Sequence, residues 1–165
     1  MNLNNLSGAG RLDLLCRVIT SVFFLGGGEK SFRKSNEIIV YFQSYGKKLT
    51  IKGNEVKGLN PDERSQAGIL KKVFSGQKIR GFELKPGKWS EITNIFKNCN
   101  VLDISGKKIH ENLITSNIFL LGDHIGLAKE ELDLFSEERK VSLGNLIYLT
   151  SHCISIINYF LDSQI

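Results

Sequence analysis

The chain has 165 residues, 41% of them hydrophobic and 24% charged, which suits one soluble globular domain with a sizeable core. No apolar run reaches the roughly 18 residues of a membrane-spanning helix, and the N-terminus lacks the basic and apolar regions of a signal peptide. The sequence therefore does not predict a membrane span or a signal peptide, and we expect a cytoplasmic protein.

The formal net charge of +5 and the pI of about 9.1 indicate a basic surface. Such a surface attracts nucleic acid or anionic membranes, although many basic proteins bind neither. The three cysteines are odd in number and far apart, which predicts reduced thiols and no disulfide framework. The three histidines lie in separate segments without the spacing of metal ligands, so no metal site is predicted.

Five helices and six strands are predicted from hydrophobic periodicity, β-branched runs and the positions of glycine and proline. In chain order they are a helix over 11–25, strands over 37–43 and 49–52, a helix over 60–74, a strand over 79–84, a helix over 89–97, strands over 100–104 and 117–121, a helix over 128–135, a strand over 140–143 and a helix over 149–161.

The second helix begins at NPDER (60–64), where Asn60 is the predicted N-cap, Pro61 suits the first helical position and Glu63 occupies a capping-box position. GGGEKS (26–31) resembles a phosphate loop, but it follows a helix and has Glu29 before Lys30 in place of glycine. We therefore interpret it as a connection.

The alternation of strands and helices predicts an α/β domain with a mostly parallel sheet. In such sheets ligands bind beyond the carboxyl ends of the strands. Two glycine-containing loops, GDHIG (122–126) and Leu143-Gly144-Asn145, follow predicted strands. They make a plausible small-molecule pocket.

Four blocks in this order carry a family resemblance: GRLDLLCR (10–17), NPDER (60–64), GDHIGL (122–127) and VSLGNLIYLTSHCISIINYFLD (141–162). Together they resemble the archaeal-type tRNA pseudouridine N1-methyltransferase family (TrmY), a group of knotted SPOUT methyltransferases. The resemblance spans about residues 6–162. It implies one SPOUT α/β-knot domain over 1–165, with a deep trefoil knot over about 100–162, which bottom-up reasoning would not propose.

The resemblance further implies a homodimer that uses S-adenosylmethionine (SAM) to methylate N1 of pseudouridine 54 in the TΨC loop of tRNA. It places the cofactor in the knot, near the subunit interface. The residues expected to bind the cofactor lie on three strand-exit loops and the last helix: Leu102, Gly122, Leu143, Gly144, Asn145, Leu146, Ile147, Tyr148 and Cys153. Backbone groups in such loops can bond an adenine edge, and glycine permits close approach.

Methyl transfer needs proximity, orientation and a free lone pair on the acceptor, and N1 of pseudouridine carries a weakly acidic proton. The candidates for removing that proton are Asp13 and Asp62, and the candidates for holding phosphates or polarising the base are Arg11, Arg17 and Arg64. Simpler roles remain open. Asp13 and Arg17 have the spacing of a helical surface ion pair, Asp62 would stabilise a helix N-terminus, and Cys153 would be an apolar contact.

The chain departs from the family pattern in three places. Only nine residues precede Gly10, so the first strand of the family is expected to be missing. Gly144-Asn145 replaces the family's Ser-Pro, which is expected to soften the cofactor loop. The segment before NPDER is rich in glycine and lysine. The alternatives are a methyltransferase for pseudouridine in small-subunit ribosomal RNA, a catalytically silent dimeric RNA-binding knot protein and a general nucleotide-binding regulator.

Overall fold

The computed structural model describes residues 12–24, 32–91, 98–111, 114 and 116–164. The chain divides into two compact units, Met1–Lys88 and Trp89–Ile165, and each is described by itself. None of the helices among the described residues is long and apolar enough to cross a membrane.

The first unit contains two helices and a three-stranded sheet. Its elements are α1 (Leu12–Phe23), β1 (Glu37–Phe42), β2 (Lys47–Lys52), α2 (Glu63–Phe74) and β3 (Phe82–Pro86). The sheet has the order β1-β2-β3 and is antiparallel throughout, unlike the parallel arrangement predicted for most of the chain. Only four residues join β1 to β2, and a parallel crossover needs a dozen or more.

The core of the first unit is formed where α1 turns its apolar face inward. The helix buries the five side chains that the three- and four-residue spacing predicted, and Cys16 is buried with them: Leu12, Leu15, Ile19, Val22 and Phe23. Leu49 and Ile51 of β2 and Leu70 of α2 are also fully buried. The predicted helix over 11–25 is therefore confirmed over Leu12–Phe23.

The start of α2 differs from the sequence prediction by two residues. Asp62 is the N-cap, and its carboxylate accepts a hydrogen bond of 2.8 Å from the backbone N–H of Ser65. The prediction of Asn60 as the cap was wrong. Aspartate and asparagine are equally good caps, and the sequence alone does not decide which of two nearby candidates is used.

The second unit contains a three-stranded parallel sheet. Its elements are β4 (Asn100–Lys108), β5 (Phe119–Leu120), α3 (Lys129–Leu132), β6 (Lys140–Ser142) and α4 (Thr150–Asp162). The sheet order is β5-β4-β6, and both pairings are parallel, as predicted. Residues 89–91 are helical, while the rest of the helix predicted over 89–97 lies outside the described residues.

The central strand β4 is longer than predicted, because it continues past Ile104 to Lys108. Its pairing with β6 shifts register between Leu102 and Lys107. Gly106 lies so close to β6 that an added Cβ would be 2.5 Å from the carbonyl carbon of Lys140. The sheet therefore requires glycine at this position to bring the two strands together.

We expect Gly106→Ala to lower the free energy of unfolding by about 1–3 kcal/mol, since the added methyl would force the β4 and β6 backbones apart. Gly68→Ala, in α2 with no atom within 4 Å of the added Cβ, should raise it by about 0.5–1 kcal/mol. Urea unfolding of the two variants measures both effects. Equal stability of Gly106→Ala and the parent chain would contradict the close packing of β4 on β6.

Candidate functional site

The loop after β5 is a tight turn built on Asp123. The Asp123 carboxylate accepts a hydrogen bond of 2.7 Å from the backbone N–H of Ile125, and its carbonyl accepts one of 3.3 Å from Gly126. Gly126 has a φ of +93°, a region that glycine adopts without strain. The turn exposes Ile125 to 85%.

Gly122 closes the base of this turn by direct backbone contact. A Cβ built on Gly122 would lie 2.4 Å from the carbonyl carbon of Gly126 and 2.6 Å from its Cα. No side chain fits into that space. The two glycines of GDHIG therefore serve the loop's own folding, and the close approach they permit is between two parts of the same loop.

A threonine hydroxyl ties this loop to the first turn of α4. The Oγ1 atom of Thr150 donates a hydrogen bond of 2.8 Å to the carbonyl oxygen of Gly122 and lies 3.4 Å from that of Asp123. Thr150 is the first residue of α4 and directly follows the loop after β6. One side chain thus brings the two strand-exit loops of the predicted cofactor site together.

The loop after β6 is fixed at both ends and apolar at its tip. The Ser142 hydroxyl accepts a hydrogen bond from the N–H of Gly144 and donates one to its carbonyl oxygen, at 3.1 and 2.9 Å. At the other end, the Cys153 thiol lies 3.6 Å from the carbonyl oxygen of Tyr148. Between them Leu146 is 69% and Ile147 89% exposed.

Leu102 and Leu143 have a different role from the other predicted cofactor residues. Both pack against a buried cluster in the second unit, formed by Ile109, Val141 and Ile157. Leu102 lies within β4, which continues to Lys108, and not on a strand-exit loop as the resemblance implied. Both leucines belong to the wall beneath the two loops.

The remaining predicted cofactor residues lie on the loop or beside it. Asn145 and Tyr148 are exposed in the loop after β6, and Cys153 is buried on α4. Burial raises the pKa of the Cys153 thiol above its usual value, so the sulfur is neutral and suited to an apolar contact. His124 in the other loop lies 3.7 Å from the carboxylate of Asp123.

The first unit brings the described part of the GRLDLLCR block, residues 12–17, close to the NPDER block, since α1 packs against the start of α2. The Thr20 hydroxyl donates to the carbonyl oxygen of Pro61 at 3.1 Å. The buried amide of Gln66 donates to Thr20 Oγ1 and to the carbonyl oxygen of Asn60, each at 2.9 Å. These bonds fix the two blocks beside each other.

Four of the five predicted catalytic residues lie in this region. Arg17 is paired with Glu63 at 3.3 Å. Because Asp62 is the N-cap, Glu63 is the first residue of α2, and its predicted capping-box role was wrong. Asp13 is half-buried on α1, and Asp62 caps α2. Arg64, the fourth, is exposed on α2. The fifth predicted catalytic residue, Arg11, lies outside the described residues.

Cys16 lies beneath these charged groups and is completely buried. Burial raises the pKa of its thiol to about 11, and the negative charges of Glu63 and Asp13 act in the same direction. A thiol with so high a pKa is not a nucleophile at neutral pH. Among the described residues, no group of three or more His, Cys, Asp or Glu side chains could hold a metal ion.

Sequence reasoning missed three residues that shape these regions: Thr150, Ser142 and Gln66. Thr150 had a usable signal, since threonine at the start of a predicted helix favours a hydrogen bond to nearby backbone. Gln66 had none, because a glutamine in an amphipathic helix is ordinarily exposed, and only the packing of α1 on α2 buries it.

The entire chain, residues 1–165, matches a family described as putative SAM-dependent RNA methyltransferases. It is 31% identical over 180 residues to the tRNA (pseudouridine(54)-N(1))-methyltransferase of Methanococcoides burtonii, covering 99% of this chain and 89% of that protein. It is 37% identical over 191 residues to the enzyme of the same name from Pyrococcus abyssi, with 98% and 89% covered.

Among solved structures, the chain resembles the crystal structure of Archaeoglobus fulgidus Nep1 bound to S-adenosylhomocysteine. The TM-score is 0.64 and the sequence identity 19%, with 93% of this chain and 71% of that one covered. The likeness shows a shared SPOUT α/β fold, as predicted.

The buried Cys16 thiol predicts a loss of stability in alkali. The folded chain holds the thiol proton up to a pKa of about 11, whereas the unfolded chain releases it near 9.0. The stabilisation is therefore fully present below pH 9 and is lost as the pH rises towards 11. Urea unfolding from pH 8 to 11 should show a fall about 2–3 kcal/mol larger for the parent chain than for Cys16→Ala. Parallel curves would contradict the raised pKa.

Proposed function

The chain belongs to the family of putative SAM-dependent RNA methyltransferases, and on that premise we propose that it methylates N1 of pseudouridine 54 in tRNA. The observation that carries the proposal is the identity of 30–37% to tRNA (pseudouridine(54)-N(1))-methyltransferases over nearly the whole chain. The resemblance of four sequence blocks had predicted the same family and the same cofactor. The protein is therefore an enzyme, and SAM is its methyl donor.

The two tied loops of the second unit fit an adenosine ligand. They combine the exposed apolar side chains of Ile125, Leu146 and Ile147 with accessible backbone around Gly144 and Asn145. Apolar surface can sandwich the adenine faces while backbone groups bond its edge, which is how such sites usually select their ligand. Leu102, Leu143 and Cys153 would support the site from the core side. Bound SAM supplies a methyl group that is open to in-line displacement.

The residues of this chain have to hold the RNA and accept the proton from N1. Asp13 and Asp62 are the proposed candidates for the base, and Asp62 also caps α2 through its bond to Ser65. Arg64 has no ion pair among the described residues and is free to hold a phosphate. The ion pair of Arg17 with Glu63 is half-exposed and hence weak, so an RNA phosphate can compete for Arg17. Arg11 belongs to the same proposed group.

Three further features complete the proposal. The chain forms one SPOUT domain with a trefoil knot over about 100–162. It acts as a homodimer in the cytoplasm, with the cofactor near the subunit interface. The exposed apolar residues Ile125, Leu146, Ile147 and Leu149 support an assembly that covers them, since such residues seldom cluster on a surface without a partner or ligand.

The experiment that tests the function is mass spectrometry of a TΨC stem-loop incubated with the protein and SAM. The stem-loop carries either pseudouridine or uridine at the target position. We expect one added methyl group on the pseudouridine RNA alone, because N1 of uridine is occupied by the glycosidic bond. A matched stem-loop from small-subunit ribosomal RNA tests the alternative substrate. Methylation of that RNA alone, or of none while SAM still binds, would overturn the tRNA assignment.

The tie between the two loops predicts a selective loss of cofactor affinity. Thr150→Val removes the hydroxyl that bonds Gly122, so the dissociation constant for SAM should rise about three- to tenfold. The matched control is Ser155→Ala, which removes a hydroxyl bonded to the Ser151 carbonyl on the same helix. Isothermal titration calorimetry compares the two variants. Equal affinity in both would show that the tie does not shape the cofactor site.

A further inference from the structure

The charge of this chain is divided sharply between its two units. The first unit, residues 1–88, has sixteen Lys and Arg residues against seven Asp and Glu, a formal net charge of +9. The second unit, residues 89–165, has six against ten, a net charge of −4. The modest charge of +5 on the whole chain therefore conceals a strongly basic unit. A polyanion is attracted to the first unit and repelled by the second.

Within the first unit, an open groove of about 690 Å³ collects several of these cations. It lies between the sheet strands β2 and β3, the end of α2 and the loop that joins α2 to β3. Its cationic lining residues are Lys47, Lys52, Lys78, Arg80 and Lys85, and its anionic ones are Glu55 and Glu83. Phe74, Ile79 and Phe82 add apolar surface.

The loop that carries Lys78 and Arg80 is fixed in place at both ends. At the end of α2, Gly76 adopts a φ of +89°, and the N–H of Gln77 donates to the carbonyl oxygen of Lys72, which together form a Schellman-type helix end. At the other end, Gly81 has a φ of +83°, and an added Cβ would lie 2.6 Å from the Val56 side chain. The two cations are thus presented by an ordered backbone.

Two of the five groove cations are already paired with the groove's own carboxylates. Lys85 lies 2.7 Å from Glu83, and Lys52 lies 3.6 Å from Glu55. The hydrogen bond from Lys85 holds the pKa of Glu83 below its usual value, and the charges of Lys85, Lys52 and Lys48 act in the same direction.

The other three cations, Lys47, Lys78 and Arg80, are exposed and have no ion pair among the described residues. Their charge is left for an external anion. Exposed cations in a groove that is also lined by apolar and aromatic side chains suit a nucleic-acid strand, since cations hold phosphates while apolar side chains contact sugars or bases. An acidic peptide carries a similar negative charge, but it has no sugars or bases for the apolar side chains to contact.

We propose that this groove is the docking surface for the phosphate backbone of the RNA substrate, with Lys47, Lys78 and Arg80 as its main phosphate contacts. The inference rests on the proposed function for the identity of the RNA. It adds that the basic first unit supplies the affinity for RNA, while the methyl donor is held by loops of the second unit.

The test is RNA binding by the full-length protein as a function of salt, with a pseudouridine-containing TΨC stem-loop as the probe. Lys78→Ala combined with Arg80→Ala removes two proposed phosphate contacts. The dissociation constant should rise about tenfold, and the slope of log K against log salt should fall by about 2. The matched control is Lys34→Ala combined with Lys57→Ala, which removes the same charge from exposed positions of the same unit outside the groove. Its slope should change little.

A second variant, Lys78→Arg combined with Arg80→Lys, keeps the charge and should bind RNA like the parent chain. SAM binding and the far-ultraviolet circular dichroism spectrum should be unchanged in all variants. An equal loss of RNA affinity in the groove and control variants would overturn the proposal, since it would show attraction by the charge of the whole unit. No loss of RNA affinity in either variant would also overturn it. Competition by polyglutamate as strong as by RNA of equal charge would assign the groove to an acidic protein.

Failure of the groove proposal can be distinguished from failure of the proposed function. If the parent chain methylates pseudouridine RNA but the groove variant binds and reacts normally, only the groove assignment fails. If the groove binds RNA but no methyl group is transferred to any stem-loop, only the proposed reaction fails.

Discussion

The candidate cofactor site depends on the hydrogen bond from the Thr150 hydroxyl to the Gly122 carbonyl oxygen. That bond, at 2.8 Å, connects the loop after β5 to the start of α4, and α4 in turn directly follows the loop after β6. A side-chain to backbone hydrogen bond holds the start of each loop in place, made by Asp123 in the loop after β5 and by Ser142 in the loop after β6. The exposed apolar tips of the loops are therefore presented by fixed backbone, which is what a site needs in order to bind a ligand without a large ordering cost.

The first unit achieves a comparable order through a different kind of interaction. Its two helices are joined by a buried amide, since Gln66 donates both to Thr20 on α1 and to the backbone just before α2. A buried polar group costs free energy unless it is bonded, and these bonds are made only when the helices sit in one register. The GRLDLLCR and NPDER blocks are distant in sequence, and this contact makes them neighbours.

Much of this arrangement could be predicted from the sequence, and the failures have identifiable causes. The face of α1 and the extent of α4 followed from local periodicity, which packing reinforces. The parallel strands of the second unit followed from the alternation of strands and helices along the chain. The antiparallel sheet of the first unit did not, because strand direction depends on which strands pair, and local patterns do not specify pairing. The length of β4 was underestimated because Gly106, normally a strand breaker, is here required by close packing on β6. The predicted cofactor residues were assigned by family resemblance. The resemblance could not show that Leu102 and Leu143 pack against the core while Leu146 and Ile147 are exposed at the tip of the loop.

The contact between Gly122 and Gly126 has a consequence for how such an enzyme changes over evolutionary time. Neither position tolerates a side chain, one for lack of space and the other because of its backbone conformation. His124 and Ile125, at the exposed tip between them, are under no such restriction. The turn itself therefore does not limit which side chains the tip carries. Only what the tip contacts limits them, so a change of contact at the tip leaves the backbone of the turn the same.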